Sequence, residues 1–363
     1  MPMEFLQVTV EQGTPDNPKK ESRFLQFLDN LHNTAKGKQL SFEMFGYNQY
    51  TYLFIGCDAD ITKLVEGLIY AAFPDCEIKP IKDYTRFFKS DKQVIMGTGA
   101  ELTRSDIYPL KTYEEFEVDS LSGVFSVISK MEREEQAWVQ ILISPKDDNW
   151  SYHFGRQLKM RFNSFFRRLR LKNFVRMKNK KQFFAEEDAQ FIDKADQNPF
   201  RIQLRFAAIS DNPAKAKKNL LALAKAFYQF NKTDNNEFKM QKIKNGASFV
   251  REYRARKMNK PVTIGANELA TIYHFPNCDH VPHVVHVLAK KHEPPKDLPT
   301  QKDDSNSLFG RTNYHNNFQD FGINRGDRRR HMYVVGKSGT GKSKMLELLI
   351  KNDILAGKGV GIL

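Results

Sequence analysis

The segment from Gly336 to Ser343, Gly-Lys-Ser-Gly-Thr-Gly-Lys-Ser, constrains the fold of this chain more than any other part of the sequence. It matches the phosphate-loop pattern GxxxxGK[ST] at every fixed position. The apolar run Met332 to Val335 precedes it and predicts a short strand. Apolar residues at helical spacing follow it, namely Leu346, Leu349, Ile350 and Ile354. Strand, glycine-rich loop and helix in this order predict the start of an α/β P-loop domain.

The residue types in this loop suit the binding of a polyphosphate. Glycines allow backbone N–H groups to turn toward phosphate oxygens, and the following helix directs the positive end of its dipole at the same charge. We expect Lys342, the candidate catalytic residue, to contact the β- and γ-phosphates, and the Ser343 hydroxyl to bind Mg²⁺. The alternative is a glycine-rich turn without a ligand. The predicted nucleotide-binding residues are Gly336, Ser338, Gly339, Thr340, Gly341, Lys342, Ser343 and Lys344.

The P-loop domain is expected to be incomplete. Its next strand is predicted at Gly359 to Leu363, where the sequence stops. In P-loop ATPases the magnesium carboxylate and the residue that orients water ordinarily lie beyond this point. The sequence therefore predicts parts of a nucleotide site without a complete active site.

Hydrophobic periodicity organises the amino-terminal region. Apolar residues alternate from Leu6 to Val10, recur at helical spacing from Phe24 to Leu31, and alternate again on both sides of a predicted turn at Gly46 to Asn48. A second helical stripe runs from Ile61 to Ala72, and a last strand from Ile78 to Tyr84 contains a proline suited to a sheet edge. The order βαββαβ is that of a ferredoxin-like unit.

The same reasoning divides the whole chain. We expect a first ferredoxin-like α+β unit at 1–85 and a second α+β unit of the same βαββαβ type at 86–292. The second unit carries a basic insertion at 149–185. A proline-rich and polar linker is predicted at 293–307, followed by the P-loop domain at 308–363.

The charge of the chain favours polyanionic partners. It has 57 Lys and Arg against 43 Asp and Glu, a net charge of +14. The insertion contains 11 basic residues and no acidic one. Its first half has an amphipathic helical pattern, with Leu158, Phe162, Phe165 and Leu169 on one side and Arg156, Lys159, Arg167 and Arg170 mostly on the other. Three roles remain open for this segment: a solvated face without a partner, a surface that binds an anionic membrane through 156–181, or a surface that binds DNA.

Cysteines and histidines predict neither a disulfide framework nor a metal site. The three cysteines, Cys57, Cys76 and Cys278, form no CxxC pair. Histidines follow closely around the last of them, but their spacing fits no zinc motif. We expect exposed imidazoles on a surface connection at His274, His280, His283 and His286.

Membrane insertion and secretion are not predicted. No apolar run approaches the roughly 18 residues needed to cross a bilayer. The start, Met1 to Glu4, lacks the basic and apolar regions of a secretion signal. A cytoplasmic location is therefore expected.

The stretch from Phe321 to Ser343 resembles the entry to the ATPase domain of conjugative and type IV secretion DNA-translocating ATPases, which belong to the HerA/FtsK-like P-loop superfamily. Asn267 to Pro276 and the linker prolines Pro294 to Pro299 are similar to the same proteins, as is the amino-terminal α+β region. The phosphate loop is shared by many NTPases, and the segments Arg328 to His331 and Ala356 to Val360 are what make the chain resemble this family among them.

This resemblance implies a RecA-like ATPase domain that uses ATP and Mg²⁺. It also implies a homo-hexameric motor that moves DNA, or a protein–DNA complex, through a secretion or conjugation channel whose components are its partners. Such a motor would lie in the cytoplasm, at the inner face of the cell membrane. Two alternatives remain: a HerA-like DNA-processing helicase or viral DNA-packaging ATPase, and a non-catalytic docking or assembly module.

Overall fold

The computed structural model describes most of the chain, in the ranges 3–11, 20–146, 186–276, 283–287 and 292–361. The basic insertion 149–185, Cys278 and His280 lie outside these ranges. The chain divides into two compact units, Met1–Leu288 and Ala289–Leu363, which are referred to below as the first and second units.

The described part of the first unit alternates helices with strands. Its helices are α1 Lys20–Thr34, α2 Thr62–Ala72, α3 Ser122–Ser129, α4 Glu186–Ala195, α5 Pro213–Ala226, α6 Gly246–Ala255 and α7 Ala266–Ile272. Its strands are β1 Met3–Glu11, β2 Leu40–Tyr47, β3 Tyr50–Asp58, β4 Glu77–Ile81, β5 Val94–Leu102, β6 Gln136–Pro145, β7 Pro199–Ser210, β8 Phe238–Met240, β9 Lys244–Asn245, β10 Val262–Gly265 and β11 His286–Val287.

One sheet contains all of these strands. Eight of them follow one another in the order β4–β1–β3–β2–β6–β7–β5–β8, and every neighbouring pair in that series is antiparallel. The remaining three are short additions, because β11 pairs with β1, β10 with β7, and β9 with β5. Pro80 lies in β4, whose only neighbour among the described strands is β1, so its missing N–H costs no ladder hydrogen bond on the outer side.

The sheet consists of two halves with the same strand order. The elements β1–α1–β2–β3–α2–β4 give the spatial order β4–β1–β3–β2, and β5–α3–β6–β7–α5–β8 give the corresponding order β8–β5–β7–β6. The two halves therefore repeat one order of helices and strands, and their assignment to the ferredoxin-like type stays a prediction. They join where β2 pairs with β6, with Leu40 opposite Ile143 and Tyr47 opposite Gln136. This junction pairs two strands that would otherwise be exposed edges.

The turn between β2 and β3 differs from its prediction. Gly46 lies inside β2, and the turn is formed by Asn48 and Gln49, with φ of 51° and 67°. Positive φ at both central residues is typical of the two-residue hairpin turn whose twist matches the flanking strands. Gly46 serves packing instead, because a Cβ at this position would lie 2.5 Å from Cγ2 of Ile128 and 3.1 Å from Cβ of Ala137.

Alternation along the strands sorts their side chains onto two faces. One face packs against the layer of α1, α2, α3, α5 and α7, where residues such as Phe42 and Val139 join the main hydrophobic core. The opposite face carries a smaller aromatic cluster that includes Trp138 and, from α6, Tyr253. Both faces of the central strands are therefore covered, which explains their nearly continuous apolar runs.

The second unit contains a two-stranded hairpin and one long helix in its described part. The strands β12 Asn306–Arg311 and β13 Asp320–Asn324 pair with each other, and the helix is α8 Lys342–Leu355. The first two residues of β12 fall within the predicted linker 293–307. The side-chain amide of Asn352 donates to the Leu308 carbonyl at 2.7 Å, which ties α8 to the hairpin.

Within the described ranges, no helix combines the length and the apolar composition that crossing a membrane would require.

Candidate functional site

The residues before the phosphate loop do not form the predicted strand. Residues 331–337 have no ladder partner within 292–361, and Tyr333 and Val335 are 91% and 74% exposed. A strand exists only where a neighbour accepts and donates its backbone hydrogen bonds. In the described part of this unit, β12 and β13 pair with each other, and residues 331–337 pair with neither. The strand prediction for Met332 to Val335 is therefore wrong for this structure.

The loop itself has the backbone that its glycines allow. Gly339 and Gly341 have φ of 79° and 91°, which side-chain-bearing residues adopt only with strain. Gly336 is required for space, since a Cβ there would lie 2.5 Å from Oγ1 of Thr340. That hydroxyl donates to the Lys337 carbonyl at 2.7 Å and closes the turn. The segment is therefore a tight, preformed bend immediately before α8.

Lys342 is folded back over this bend. Its Nζ donates to the carbonyl oxygens of Gly336 and Lys337, both at 2.7 Å. An ammonium group has three N–H donors, so the group is held above the loop with capacity for a further acceptor. The position places a positive charge where the pattern predicts phosphate oxygens.

The start of α8 completes the arrangement. Gly341 is the residue before the helix, and its carbonyl accepts the N–H of Met345 at 2.9 Å. The first N–H groups of a helix have no acceptor within it, and a glycine before the helix offers no side chain to satisfy them. Three kinds of donor can therefore bind the oxygens of a phosphate: the first N–H groups of α8, the ammonium group of Lys342 and the N–H groups of the loop.

The other predicted site residues are exposed around the loop. Ser338 and Ser343 are open to solvent, and Lys344 pairs with Glu347 at 2.9 Å on the surface of the helix. The Ser343 hydroxyl follows Lys342 on the first turn of α8, so a magnesium ion bound to it would lie beside the bend. All eight predicted nucleotide-binding residues therefore lie in one continuous segment.

Paired charges hold α8 in place. Arg325 and Arg328 both bind the carboxylate of Asp353, with nitrogen–oxygen distances of 2.5 Å and 2.7 Å. The hydrogen bond from Arg328 lowers the pKa of Asp353 below its ordinary value, although partial burial acts in the opposite direction. Of the predicted apolar stripe, Leu349 is buried while Leu346 and Ile354 are exposed. The helix is thus held by its last two turns, and the turn next to the phosphate loop stays accessible.

The predicted group of exposed histidines is not one group. His283 is exposed and stacks on Tyr50, with 5.5 Å between ring centroids, and His286 lies in β11. His274 is completely buried, so its predicted exposure is wrong. It follows α7, whose apolar residues place this end of the helix in the main core.

A buried charge network was not predicted from the sequence. Glu43, Gln140 and Arg205 stand opposite one another on the neighbouring strands β2, β6 and β7. The Arg256 guanidinium donates to both carboxylate oxygens of Glu43, from Nε at 2.7 Å and from Nη2 at 3.1 Å, and to Asp83 at 2.9 Å. The one sequence signal is a charged residue in the middle of the mostly apolar segment 40–45.

The charges in this network balance. Gln140 bridges the pairs, because its amide donates to Glu43 at 3.0 Å and its carbonyl accepts from Arg205 at 3.0 Å. Burial alone would raise the pKa of Asp83, but the hydrogen bond and the charge of Arg256 outweigh it and lower that pKa. Two carboxylates, Glu43 and Asp83, and two guanidinium groups, Arg205 and Arg256, therefore meet on this face of the sheet, beneath the end of α6.

A family described as "Domain of unknown function (DUF8128)" matches residues 16–285, which lie within the first unit. No curated protein matches the chain in sequence. A crystal structure of aclacinomycin oxidoreductase aligns at 11% identity and a TM-score of 0.28, over 63% of this chain and 42% of that one. That similarity is too low to carry an argument about fold or activity.

Proposed function

The chain belongs to the DUF8128 family, and we propose that it is an ATP-binding, DNA-translocating protein of the conjugative or type IV secretion kind. One observation carries the proposal. Lys342 holds its ammonium group over the carbonyls of a glycine-rich bend that leads directly into α8, in a segment that matches the phosphate-loop pattern throughout. In a turn without a ligand these two bonds would only hold the loop closed, so it is their combination with the complete phosphate-loop pattern that favours a bound phosphate.

The proposed binding mode follows from the donors present. The N–H groups of residues 339–344 would surround the β-phosphate, and Lys342 would exchange its contacts with the two loop carbonyls for the β- and γ-phosphate oxygens. Ser343 and waters would hold Mg²⁺, which neutralises charge on the phosphates. Ser338, Thr340 and Lys344 would border the bound phosphates.

Charge and sequence resemblance support the part of the proposal that concerns DNA. The net charge of +14 suits a protein that contacts a polyanion, and the insertion 149–185 carries much of it. The resemblance of 321–343 to secretion ATPases supports a homo-hexameric ring whose partners are channel components. It also supports a position in the cytoplasm against the inner face of the membrane.

Nucleotide binding by the purified chain tests the proposal. A fluorescent ATP analogue should bind in the presence of Mg²⁺ and be displaced by unlabelled ATP. Lys342→Ala should weaken binding at least about tenfold, since charge-assisted hydrogen bonds to phosphate contribute roughly 1.5–3 kcal/mol. Ser343→Ala should reduce the gain in affinity that Mg²⁺ provides.

A matched control separates the loop lysine from general charge. Lys351 is exposed on the same helix, nine residues later and thus about 13 Å along its axis. Lys351→Ala should leave binding unchanged. The proposal is wrong if the unaltered chain does not bind the nucleotide at millimolar concentration, or if Lys342→Ala and Lys351→Ala bind equally well.

A further inference from the structure

His274 has a defined orientation inside the first unit. Its ring is fully buried, and Nδ1 lies 2.9 Å from the carbonyl oxygen of Ala270, one turn earlier in the chain. A carbonyl can only accept, so Nδ1 carries the hydrogen of this bond. The other ring nitrogen, Nε2, is thereby the one that faces away from α7.

Nε2 faces two buried carboxylates. It lies 3.3 Å from Oδ1 of Asp119 and 3.7 Å from Oε1 of Glu21, and the side chains of these residues are 3% and 7% exposed. Despite these distances, Nε2 has no aligned hydrogen-bond partner among the described residues. It is a polar atom without solvent that points into an acidic cluster.

Neither protonation state of the ring gives Nε2 a hydrogen bond of ordinary length and direction. A neutral ring with its hydrogen on Nδ1 would direct the Nε2 lone pair at two negative charges in a water-poor site, which costs free energy. A protonated ring would donate from Nε2, but a charge-assisted N–H···O bond is typically about 2.7–2.9 Å long and close to linear. The observed separations are longer, and the hydrogen-bond direction is not met.

A metal ion accounts for both features. Nitrogen and oxygen ligands lie about 2.0–2.2 Å from a tetrahedral Zn²⁺, which separates the ligand atoms by roughly 3.3–3.6 Å and places the ion off the lines that join them. The candidate ligand atoms of Glu21, Asp119 and His274 all lie within 4.8 Å of one another. Two carboxylates also neutralise a divalent charge, which removes the main cost of burying it.

We propose that Glu21, Asp119 and His274 form a binding site for a divalent transition-metal ion of the Zn²⁺ type. The surrounding contacts are those that orient metal ligands. A ligating histidine usually donates its second ring N–H to a carbonyl, as His274 does to Ala270, and ligating carboxylates are themselves hydrogen-bonded. Here Asp119 Oδ1 accepts the backbone N–H of Leu121 at 2.8 Å.

The ion would connect three distant parts of the first unit. Glu21 lies in the first turn of α1, Asp119 just before α3, and His274 just after α7. Because α1 belongs to one half of the sheet and α3 to the other, the ion would link the two halves. The site lies in a different unit from the phosphate loop, so metal binding can be tested independently of nucleotide binding.

Metal content and thermal stability of the purified chain test this proposal. Protein produced with added zinc should contain one equivalent of tightly held ion by elemental mass spectrometry. Removal of the ion with a chelator should lower the melting temperature of the first unit, and Zn²⁺ should restore it, because a ligand that binds only the folded state stabilises that state. Co²⁺ in place of Zn²⁺ should give the visible absorption of a tetrahedral nitrogen and oxygen site.

Variants assign the ligands. Asp119→Asn and Glu21→Gln keep the size of each side chain and should weaken Zn²⁺ binding by about 100-fold or more, which exceeds the effect typical of residues that only hydrogen-bond to a metal ligand. His274→Gln should do the same. His283→Ala, which alters an exposed imidazole in the same unit, should leave affinity unchanged.

Two results would overturn the proposal. If the unaltered chain holds no stoichiometric metal and its melting temperature does not respond to Zn²⁺, the cluster is a protonated histidine between carboxylates. If Cys278→Ser or His280→Ala abolishes binding while His274→Gln retains it, the ion belongs to another set of residues.

Discussion

Replacing Glu43 by glutamine should destabilise the first unit strongly, because it leaves a buried guanidinium group without its main partner. The substitution keeps the size of the side chain but removes its charge. Glu43 is fully buried and receives two hydrogen bonds from Arg256 and one from Gln140. A glutamine offers one acceptor oxygen, and its amide group would direct donors at the donors of the guanidinium.

The expected magnitude follows from these contacts. Breaking a buried ion pair by removing one partner costs about 3–5 kcal/mol. Arg256 keeps its bond to Asp83 at 2.9 Å, so the lower end applies. In a unit of this size, the melting temperature falls by roughly 2–4 °C for each kcal/mol of stability lost. A loss of about 3 kcal/mol should therefore lower the melting temperature by about 6–12 °C.

The assay can isolate the first unit. Both tryptophans of the chain, Trp138 and Trp150, belong to residues 1–288, so tryptophan fluorescence during heating follows that unit alone. Glu132→Gln is the matched control, since Glu132 pairs with Lys215 at 2.9 Å and the two side chains are 68% and 44% exposed. Its melting temperature should change by less than about 2 °C.

Equal melting temperatures for Glu43→Gln and Glu132→Gln would refute the argument that this network stabilises the sheet. A double-mutant cycle with Arg256→Gln gives a second measure. Two residues in direct contact should show a coupling free energy of roughly 0.5–3 kcal/mol, whereas a value near zero would mean that the two side chains act independently.

The second unit and the basic insertion give further predictions. Because Arg328 lowers the pKa of Asp353, the folded state gains stability from this carboxylate above its ordinary pKa and loses it as the pH falls through the lowered value. Asp353→Asn should therefore speed hydrogen exchange in α8 at pH 7, and the difference from the unaltered chain should shrink below about pH 4; a difference independent of pH would contradict this. If the insertion binds DNA, changing Arg167, Arg168 and Arg170 to glutamine should make the slope of log K against log salt concentration shallower by about 2–3. An unchanged slope for DNA, together with unchanged binding to anionic vesicles, would assign the segment to solvent.

Local patterns in the sequence predict most of the elements of the first unit. The apolar spacing from Phe24 to Leu31 predicts a helix, which is confirmed as α1, and the alternation on both sides of residue 48 predicts the pair β2 and β3. These patterns succeed because helix and strand periodicities bring residues two to four positions apart onto one buried face. The phosphate-loop residues form one segment for a similar reason, since all of their contacts are local, and their role in binding nucleotide stays a prediction.

Local patterns failed where the structure depends on a partner that is distant in the sequence. The apolar run before the loop predicts a strand, yet a strand depends on a neighbour that periodicity does not identify. Gly46 predicts a turn by its residue type, but it lies within β2, where Ile128, 82 residues away, fills the space that a side chain would need.

The sequence by itself determined the order of helices and strands, the net positive charge and the phosphate-loop segment, because each depends on composition or on residues close together in the chain. Only the tertiary structure decided that β2 pairs with β6 and that Glu43 meets Arg256. It also brought Glu21, Asp119 and His274 together from positions more than 90 residues apart. Burial and edge pairing depend on where remote segments fold, and nothing in the local spacing of these residues records that.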